Sequence, residues 1–148
     1  MHIHSTRLGE IEFSETDKVT FPDGLPGFVD EREFVLLPEQ DSPFAFLQSL
    51  REPDLTFLLV DPFAFYSDYS FELNDETVEK LALTEAYPPQ VWCIVTVPEQ
   101  AADMTANLLA PIIMNRKDNV ACQHVIETPK YTTRHRLFAE TSPTQGGA

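Results

Sequence analysis

The chain has 148 residues, of which 43% are hydrophobic, so it is long and apolar enough for one domain with its own core and is not disordered by composition. Its net charge is −14, and residues 1–110 alone carry 21 acidic against 5 basic residues, a net charge of −16. This charge disfavours direct binding of nucleic acid and favours approach to a basic protein surface, although a solubilising acidic surface is the simpler interpretation.

The N-terminal stretch MHIHSTRLGEIEF lacks a basic segment followed by an apolar one, so we expect no secretory signal. No apolar run reaches the roughly 20 residues that a membrane span needs. Cys93 and Cys122 lie far apart in apolar segments, which predicts two buried thiols rather than a disulfide. We therefore expect a cytoplasmic protein without membrane contact.

His2 and His4 alternate on a possible strand and so share a face, as metal ligands often do. Two histidines without a third ligand nearby are more typical of a surface than of a metal site. We expect neither a metal nor a cofactor.

The stretch FPDGLPGF at residues 21–28 predicts a rigid corner rather than a flexible linker. Pro22 and Pro26 fix φ near −65°, and Gly24 and Gly27 permit positive φ, which we expect for at least one of them.

The ends of this corner are aromatic, and its middle is acidic. Phe21 and Phe28 can anchor both ends in a core, which makes a structural role the first interpretation. Asp23 is the exposed acid of the corner, and we expect it to be the residue most free to contact a partner.

Short runs of β-branched and aromatic residues follow one another between the 12 prolines, and they predict strands. The predicted strands span residues 18–21, 33–38, 44–50, 56–61, 91–97 and 119–127. Their near-regular spacing predicts a mainly β fold, a small barrel-like structure or roll of short antiparallel strands with one or two short helices.

Two segments have the pattern of a helix. In residues 73–83 Asn74 or Asp75 can cap the N-terminus, and residues 78, 81 and 82 fall on one face. In residues 98–104 Pro98 suits the first turn.

The run LLAPIIM at residues 108–114 is the most apolar in the chain. Pro111 cannot donate a hydrogen bond to a ladder, so the run is expected at a sheet edge or a bulge, where a partner can cover it. The alternative is a buried central strand. Asn107 is placed to satisfy backbone groups at the start of the run.

Catalytic motifs are missing from the sequence: it has no G-x-S-x-G elbow, P-loop or G-x-G-x-x-G. His124, in an apolar strand, is interpreted as a packed or hydrogen-bonded histidine. Arg134 and Arg136 flank His135 and would lower its pKa if they lie close. We predict no catalytic residue.

Several segments together resemble one family in order and spacing. They are FPDGLPGF (21–28), EFVLLP (33–38), FAFLQSL (44–50), DLTFLLVDPFAF (54–65), MTANLLAPIIMN (104–115) and YTTRH (131–135). The chain thereby resembles the flagellar assembly factor FliW family over residues 3–137. The resemblance implies a single β-rich, barrel-like domain over residues 1–137 without catalytic activity. The stretch ETSPTQGGA at 140–148 is polar and rich in glycine at its end, and from this composition we expect a disordered tail at 138–148.

The resemblance also implies partners. FliW proteins bind CsrA, a small RNA-binding homodimer, and relieve its repression of flagellin translation. They also bind flagellin, so that free flagellin releases CsrA. We expect this partner switch in a monomeric protein. The alternatives are a flagellin-specific chaperone without a main regulatory role and, from another class, a small β-barrel enzyme.

Partner contacts are predicted in two segments of the chain and, in addition, at Asp23. The first is the apolar run and its flanks, for which the alternative is the buried strand. The second is the acidic segment 68–79, which contains five acids and no basic residue, and for which the alternative is a solvated helix face. The predicted contact residues are Asn107, Leu108, Leu109, Pro111, Ile112, Ile113 and Asn115 in the first and Asp75, Glu76 and Glu79 in the second.

Overall fold

The computed structural model describes residues 1–84, 86, 88–127 and 130–138, so the tail predicted at 138–148 lies, apart from Phe138, outside the described residues. Within them the one α-helix is α1, Asp75–Lys80, and no helix is long and apolar enough to cross a bilayer. The strands are β1 His2–Ser5, β2 Gly9–Glu12, β3 Lys18–Thr20, β4 Glu33–Pro38, β5 Phe44–Ser49, β6 Thr56–Val60, β7 Gln90–Thr96, β8 Thr105–Ala106, β9 Ile112–Asn115, β10 Val120–Gln123 and β11 His135–Arg136.

Seven strands close into a barrel in the order β7-β6-β5-β4-β3-β10-β9, because β9 pairs back onto β7. All of these pairs are antiparallel except β3–β10, which is parallel at Val120 and Thr20. Strands β8 and β11 continue the sheet beyond β7, and β1 and β2 form a separate hairpin. The predicted mainly β, barrel-like fold is confirmed.

Most predicted strand bounds agree with the structure to within one residue, and residues 33–38 agree fully. The prediction for 119–127 is too long, because β10 ends at Gln123. Beyond it, the His124 N–H donates to the Pro111 carbonyl at 2.9 Å and the Ile126 N–H to the Leu109 carbonyl at 2.8 Å. The chain therefore keeps its backbone bonds to residues 109–111 outside a regular ladder.

The apolar run is not an edge strand, so that prediction is wrong. Its second half forms β9, which pairs with β10 on one side and with β7 on the other, and Ile112 and Ile113 are fully buried. Pro111 lies just before β9, where its missing N–H costs no ladder bond. The alternative of a buried central strand is therefore correct.

The barrel interior is aromatic and aliphatic. Phe21 and Phe34 are fully buried and meet edge to face, with ring centroids 5.3 Å apart. The interior cluster consists of Val19, Phe21, Leu25, Phe34, Leu36, Ala45, Leu47, Leu59, Ile112, Met114 and Ala121.

The outer face of the barrel carries two further clusters. One contains Tyr69, Cys93 and Leu108, and the other contains Leu81, at the end of α1, with Cys122. Both cysteines are buried free thiols, as predicted, and burial raises the pKa of Cys93 to about 12.

The predicted helix at 73–83 exists but is shorter. Asn74 caps it, since its side-chain oxygen accepts from the Thr77 N–H at 2.8 Å. It ends at Lys80 because Ala82 adopts a left-handed conformation with φ 54°. The Leu83 N–H then donates to the Val78 carbonyl and the Ala82 N–H to the Glu79 carbonyl, the pattern of a Schellman motif.

The second predicted helix, at 98–104, is wrong. Only a single 3-10 turn forms there, Ala101–Asp103, and Gln100 before it makes no side-chain capping bond. Residues 105–106 become β8, which pairs with both β7 and β11. Tertiary strand pairing therefore outweighs the local helical signals.

Replacing Ala82 by glycine is expected to stabilise the protein by about 0.5–1 kcal/mol, because an L-residue is strained at this φ and glycine is not. The exposed Ala102 in the 3-10 turn has no positive φ, so Ala102→Gly is the matched control and should lower stability. Urea unfolding followed by circular dichroism compares the two. A loss of stability in Ala82→Gly as large as in the control would contradict this account of the helix end.

Candidate functional site

The corner at 21–28 is rigid, as predicted, and both of its glycines have positive φ, 69° at Gly24 and 85° at Gly27. The Gly24 N–H donates to the Phe21 carbonyl at 2.8 Å, and Leu25 and Phe28 form an isolated β-bridge. Phe21 and Leu25 are buried in the barrel, which fixes the first half of the corner.

Phe28 does not anchor the other end in the core, and that prediction is wrong. Its side chain is 41% exposed and lies against the Phe57 ring on the surface, with centroids 5.7 Å apart. The positive φ at Gly27 allows the chain to turn here before Phe28 is reached.

Asp23 is exposed but is not free, which corrects its interpretation as the freest acid of the corner. Its Oδ2 accepts from the Lys80 ammonium at 2.6 Å, so the corner is joined to the last residue of α1. This hydrogen bond and the charge of Lys80 hold the pKa of Asp23 below its ordinary value. The pKa of Lys80 is raised in return, chiefly by the same bond.

The structure brings four of the predicted contact residues to one exposed surface, which we call the α1 face: Asp23, Asp75, Glu76 and Glu79. The three helix carboxylates are exposed and make no ion pair within the described part of the chain. Asp75 and Glu76 lie in the first turn of α1, where negative charge is favoured by the helix dipole. The positive charge of Lys80 offsets the negative charge of Asp23. The net negative charge of this face therefore comes from the three helix carboxylates.

The other predicted contact residues lie mostly within the barrel wall. Leu108, Pro111, Ile112, Ile113 and Asn115 are buried, and they present little side-chain surface to a partner in this structure. Their predicted role in binding stays a prediction.

Asn107 has the structural role that was predicted for it. Its side-chain oxygen accepts from the backbone N–H groups of Leu109, at 3.1 Å, and Ala110, at 3.0 Å. It therefore satisfies the start of the apolar run. Asn107 and Leu109 are half-buried.

Asn115 links the two predicted places. Its side-chain amide donates to the Leu81 carbonyl at 2.6 Å, and its side-chain oxygen accepts from the Lys117 N–H at 2.9 Å. The end of α1 is thereby fixed to the turn between β9 and β10. The α1 face is thus held to the barrel at two points, through Asn115 and through Asp23.

The two N-terminal histidines face carboxylates across the β1–β2 hairpin. His2 lies 3.4 Å from Glu12, and His4 lies 2.7 Å from Glu10, as the strand register requires. Among the described residues, no group of three or more histidines, cysteines or acids is placed to hold a metal ion.

The remaining histidines are packed. His124 is buried and its ring stacks on Phe71, as its interpretation required. The pKa of His135 is lowered, in the expected direction, but the cause is burial of the ring rather than the charge of the flanking arginines. The ring nitrogen Nε2 of His135 accepts from the Thr132 N–H at 2.9 Å, a bond that the neutral ring can make.

One feature that the sequence did not reveal is an apolar groove beside the α1 face, along residues 61–73. Phe63, Phe71 and Val91 of β7 are among the residues that line it. The sequence signal for this surface was Asp61 before Pro62, a pair that favours a capped turn. Asp61 caps the 3-10 turn Pro62–Ala64, and Phe63 within this turn is 43% exposed.

Comparison with known proteins agrees with this fold and chain length. The family profile described as FliW protein matches residues 2–137. The flagellar assembly factor FliW of Desulfitobacterium hafniense (strain DSM 10664 / DCB-2) is 50% identical over 141 residues, which cover 95% of this chain and 93% of the relative. The flagellar assembly factor FliW of Bacillus subtilis (strain 168) is 41% identical over 142 residues, which cover 95% of this chain and 99% of the relative. A crystal structure of the flagellar assembly factor FliW superposes with a TM-score of 0.86 at 39% identity, covering 96% of this chain and all of that one. The chain belongs to the FliW family of flagellar assembly factors.

Proposed function

We propose that this protein binds CsrA, relieves its repression of flagellin synthesis, and exchanges CsrA for flagellin in a partner switch. The observation that carries the proposal is the α1 face, where Asp75, Glu76 and Glu79 are exposed on a helix fixed to the barrel. A regulator that binds RNA needs basic surface, and the −16 charge of residues 1–110 attracts such a surface. The family resemblance supplies the identity of both partners.

In this proposal the acidic surface has two effects. It speeds encounter with the regulator, and once docked beside the RNA site it repels the phosphate backbone without covering every RNA contact. Neither effect needs a cofactor or a catalytic group. The protein would act as a cytoplasmic monomer that binds proteins and no nucleic acid directly.

The alternative is a flagellin-specific chaperone without a main regulatory role. An accessible apolar edge strand would suit such a chaperone, whereas Ile112 and Ile113 of the apolar run are buried. A pull-down from lysate separates the hypotheses: the proposed function requires a small basic regulator, the chaperone hypothesis requires flagellin alone, and an enzyme requires neither.

The association rate of the protein with CsrA is expected to fall several-fold as salt rises from low concentration to 1 M, because the Debye length shrinks to about 3 Å and electrostatic steering is lost. Stopped-flow mixing at several salt concentrations measures this rate. A rate that does not depend on salt would remove steering from the proposal and leave the acids as solubility residues.

A further inference from the structure

Three adjoining clefts form one groove along residues 61–73. The middle cleft, of about 310 Å³, is lined by Phe63, Phe71 and Val91. Phe63 also borders a cleft of about 270 Å³ that Trp92 lines, and Phe71 borders one of about 480 Å³ that Ile126 lines. The middle cleft shares Phe63, Pro89 and Val91 with the second cleft and Ser70 and Phe71 with the third, so the three clefts adjoin one another along the surface.

The walls of the groove are held in place before any ligand binds. Tyr69 is buried between them, with its ring centroid 5.7 Å from that of Phe63 and 5.3 Å from that of Phe71. Its hydroxyl donates to the Leu108 carbonyl at 2.7 Å. The Tyr131 hydroxyl accepts from the Ser70 N–H and donates to the Ser70 carbonyl, both at 3.1 Å. A site that is preformed in this way loses little conformational entropy when it binds a ligand.

The charged residues that line the groove are acidic. Asp61 lies at one end, and Glu72 and Glu127 lie at the other. Among the described residues that line the three clefts there is no lysine or arginine. The groove therefore combines apolar side-chain pockets with carboxylates at both ends, which suits a ligand with apolar side chains flanked by positive charges.

We propose that this groove binds an amphipathic segment of a protein partner, which places apolar side chains on either side of Phe71 and basic side chains near Asp61, Glu72 and Glu127. The inference rests on the proposed function in that the protein acts by binding other proteins, and it assigns a contact surface distinct from the α1 face. It also replaces the apolar run at 108–114, which is buried, as the accessible apolar surface.

The probe that tests the groove is a fluorescein-labelled peptide of about 14 residues with leucines at helical spacing and lysines elsewhere, and the matched peptide carries glutamates in place of lysines. Fluorescence anisotropy is expected to show saturable binding of the leucine–lysine peptide and none of the leucine–glutamate peptide. Trp92, the single tryptophan, lines the groove, so its emission should shift when the first peptide binds. Absence of binding by the leucine–lysine peptide would overturn the inference.

Two serines of the same segment separate groove binding from general attraction to an acidic protein. Ser70 is exposed and lines the groove, whereas Ser67 is exposed and lines none of the three clefts. Ser70→Phe is expected to weaken peptide binding at least about tenfold, and Ser67→Phe to leave it unchanged. Equal binding by the parent and both variants would overturn the inference.

A second variant keeps the test decisive if Ser70→Phe folds poorly. Glu72 is exposed and lines the groove, so the Glu72→Lys variant should fold normally and bind the leucine–lysine peptide more weakly. Binding of purified CsrA to the same proteins is also measured, and it distinguishes failure of the groove from failure of the proposed function. If CsrA fails to bind the parent while the peptide results hold, the proposed function fails and the groove stands. If CsrA binds but neither peptide does, the groove fails and the proposed function stands.

Discussion

Replacing Gly24 by alanine is expected to destabilise the protein by more than about 2 kcal/mol. The φ of 69° alone costs an L-residue roughly 1–2 kcal/mol. A Cβ at this position would also lie 2.5 Å from the Val29 carbonyl oxygen and 2.6 Å from the Val29 Cα. These are backbone atoms, so the clash cannot be relieved by a side-chain rotation, and the corner would have to open.

Gly27 provides the matched control within the same corner. Its φ of 85° is also positive, but a Cβ there would meet no atom within 4 Å. Gly27→Ala should therefore cost only the backbone strain, roughly 1–2 kcal/mol. Urea unfolding gives both free energies, and in a chain of this size each kcal/mol lowers the melting temperature by about 2–4 °C.

The ranking of the two variants tests the corner more sharply than either value alone. Equal losses would show that the approach to Val29 does not constrain the corner, and unchanged melting temperatures in both would contradict its rigidity. We expect the folded fraction of each variant to bind CsrA with unchanged affinity, because the corner serves the fold. A loss of affinity without a loss of stability would instead make the corner a contact surface.

The strands were predictable because their signals are local. Short runs of β-branched and aromatic residues, with prolines between them, place β4 to β7 almost to the residue. The glycines of the corner were predictable for the same reason, since positive φ is a property of one residue.

Closure of the barrel was not predictable in the same way, because it depends on pairs of distant residues. Pro111 indicates only that a ladder bond is missing, and it is equally consistent with an edge and with the position just before a buried strand. The pairing of β9 with both β7 and β10 decides between these. The parallel pair between β3 and β10 likewise joins residues 100 apart in the chain, Thr20 and Val120.

The candidate site was predictable in composition but not in its contacts. The acidic density of residues 68–79 is visible in the sequence, and α1 places three of its five acids at the surface. The bond from Lys80 to Asp23 joins residues 57 apart and changes the interpretation of Asp23 from a free acid to a tether. The groove depends on where Phe63 and Phe71 lie relative to Tyr69, which no local pattern specifies.

Reversing two charges on the α1 face, by Asp75→Lys together with Glu79→Lys, is expected to slow association with CsrA about tenfold while leaving the fold intact. Both side chains are exposed and make no ion pair among the described residues, so neither substitution disturbs the core. Charges at an interface act mainly on the association rate, and local reversal turns attraction for a basic surface into repulsion. Stopped-flow association at low salt measures the rate, and urea unfolding checks the fold.

The matched control reverses two exposed acids elsewhere, Glu39 and Glu99, neither of which makes an ion pair in the described part of the chain. Both double variants change the net charge from −14 to −10, so the long-range field weakens by the same amount in each. If CsrA docks at the α1 face, the helix variant must associate more slowly than the control, and its slowing must shrink as salt rises. Equal rates in the two variants would mean that total charge alone steers the encounter. If the helix variant also bound as fast and as tightly as the parent, the α1 face would be excluded as a contact, because a repulsive pair of lysines within the docked surface would have to raise the dissociation constant.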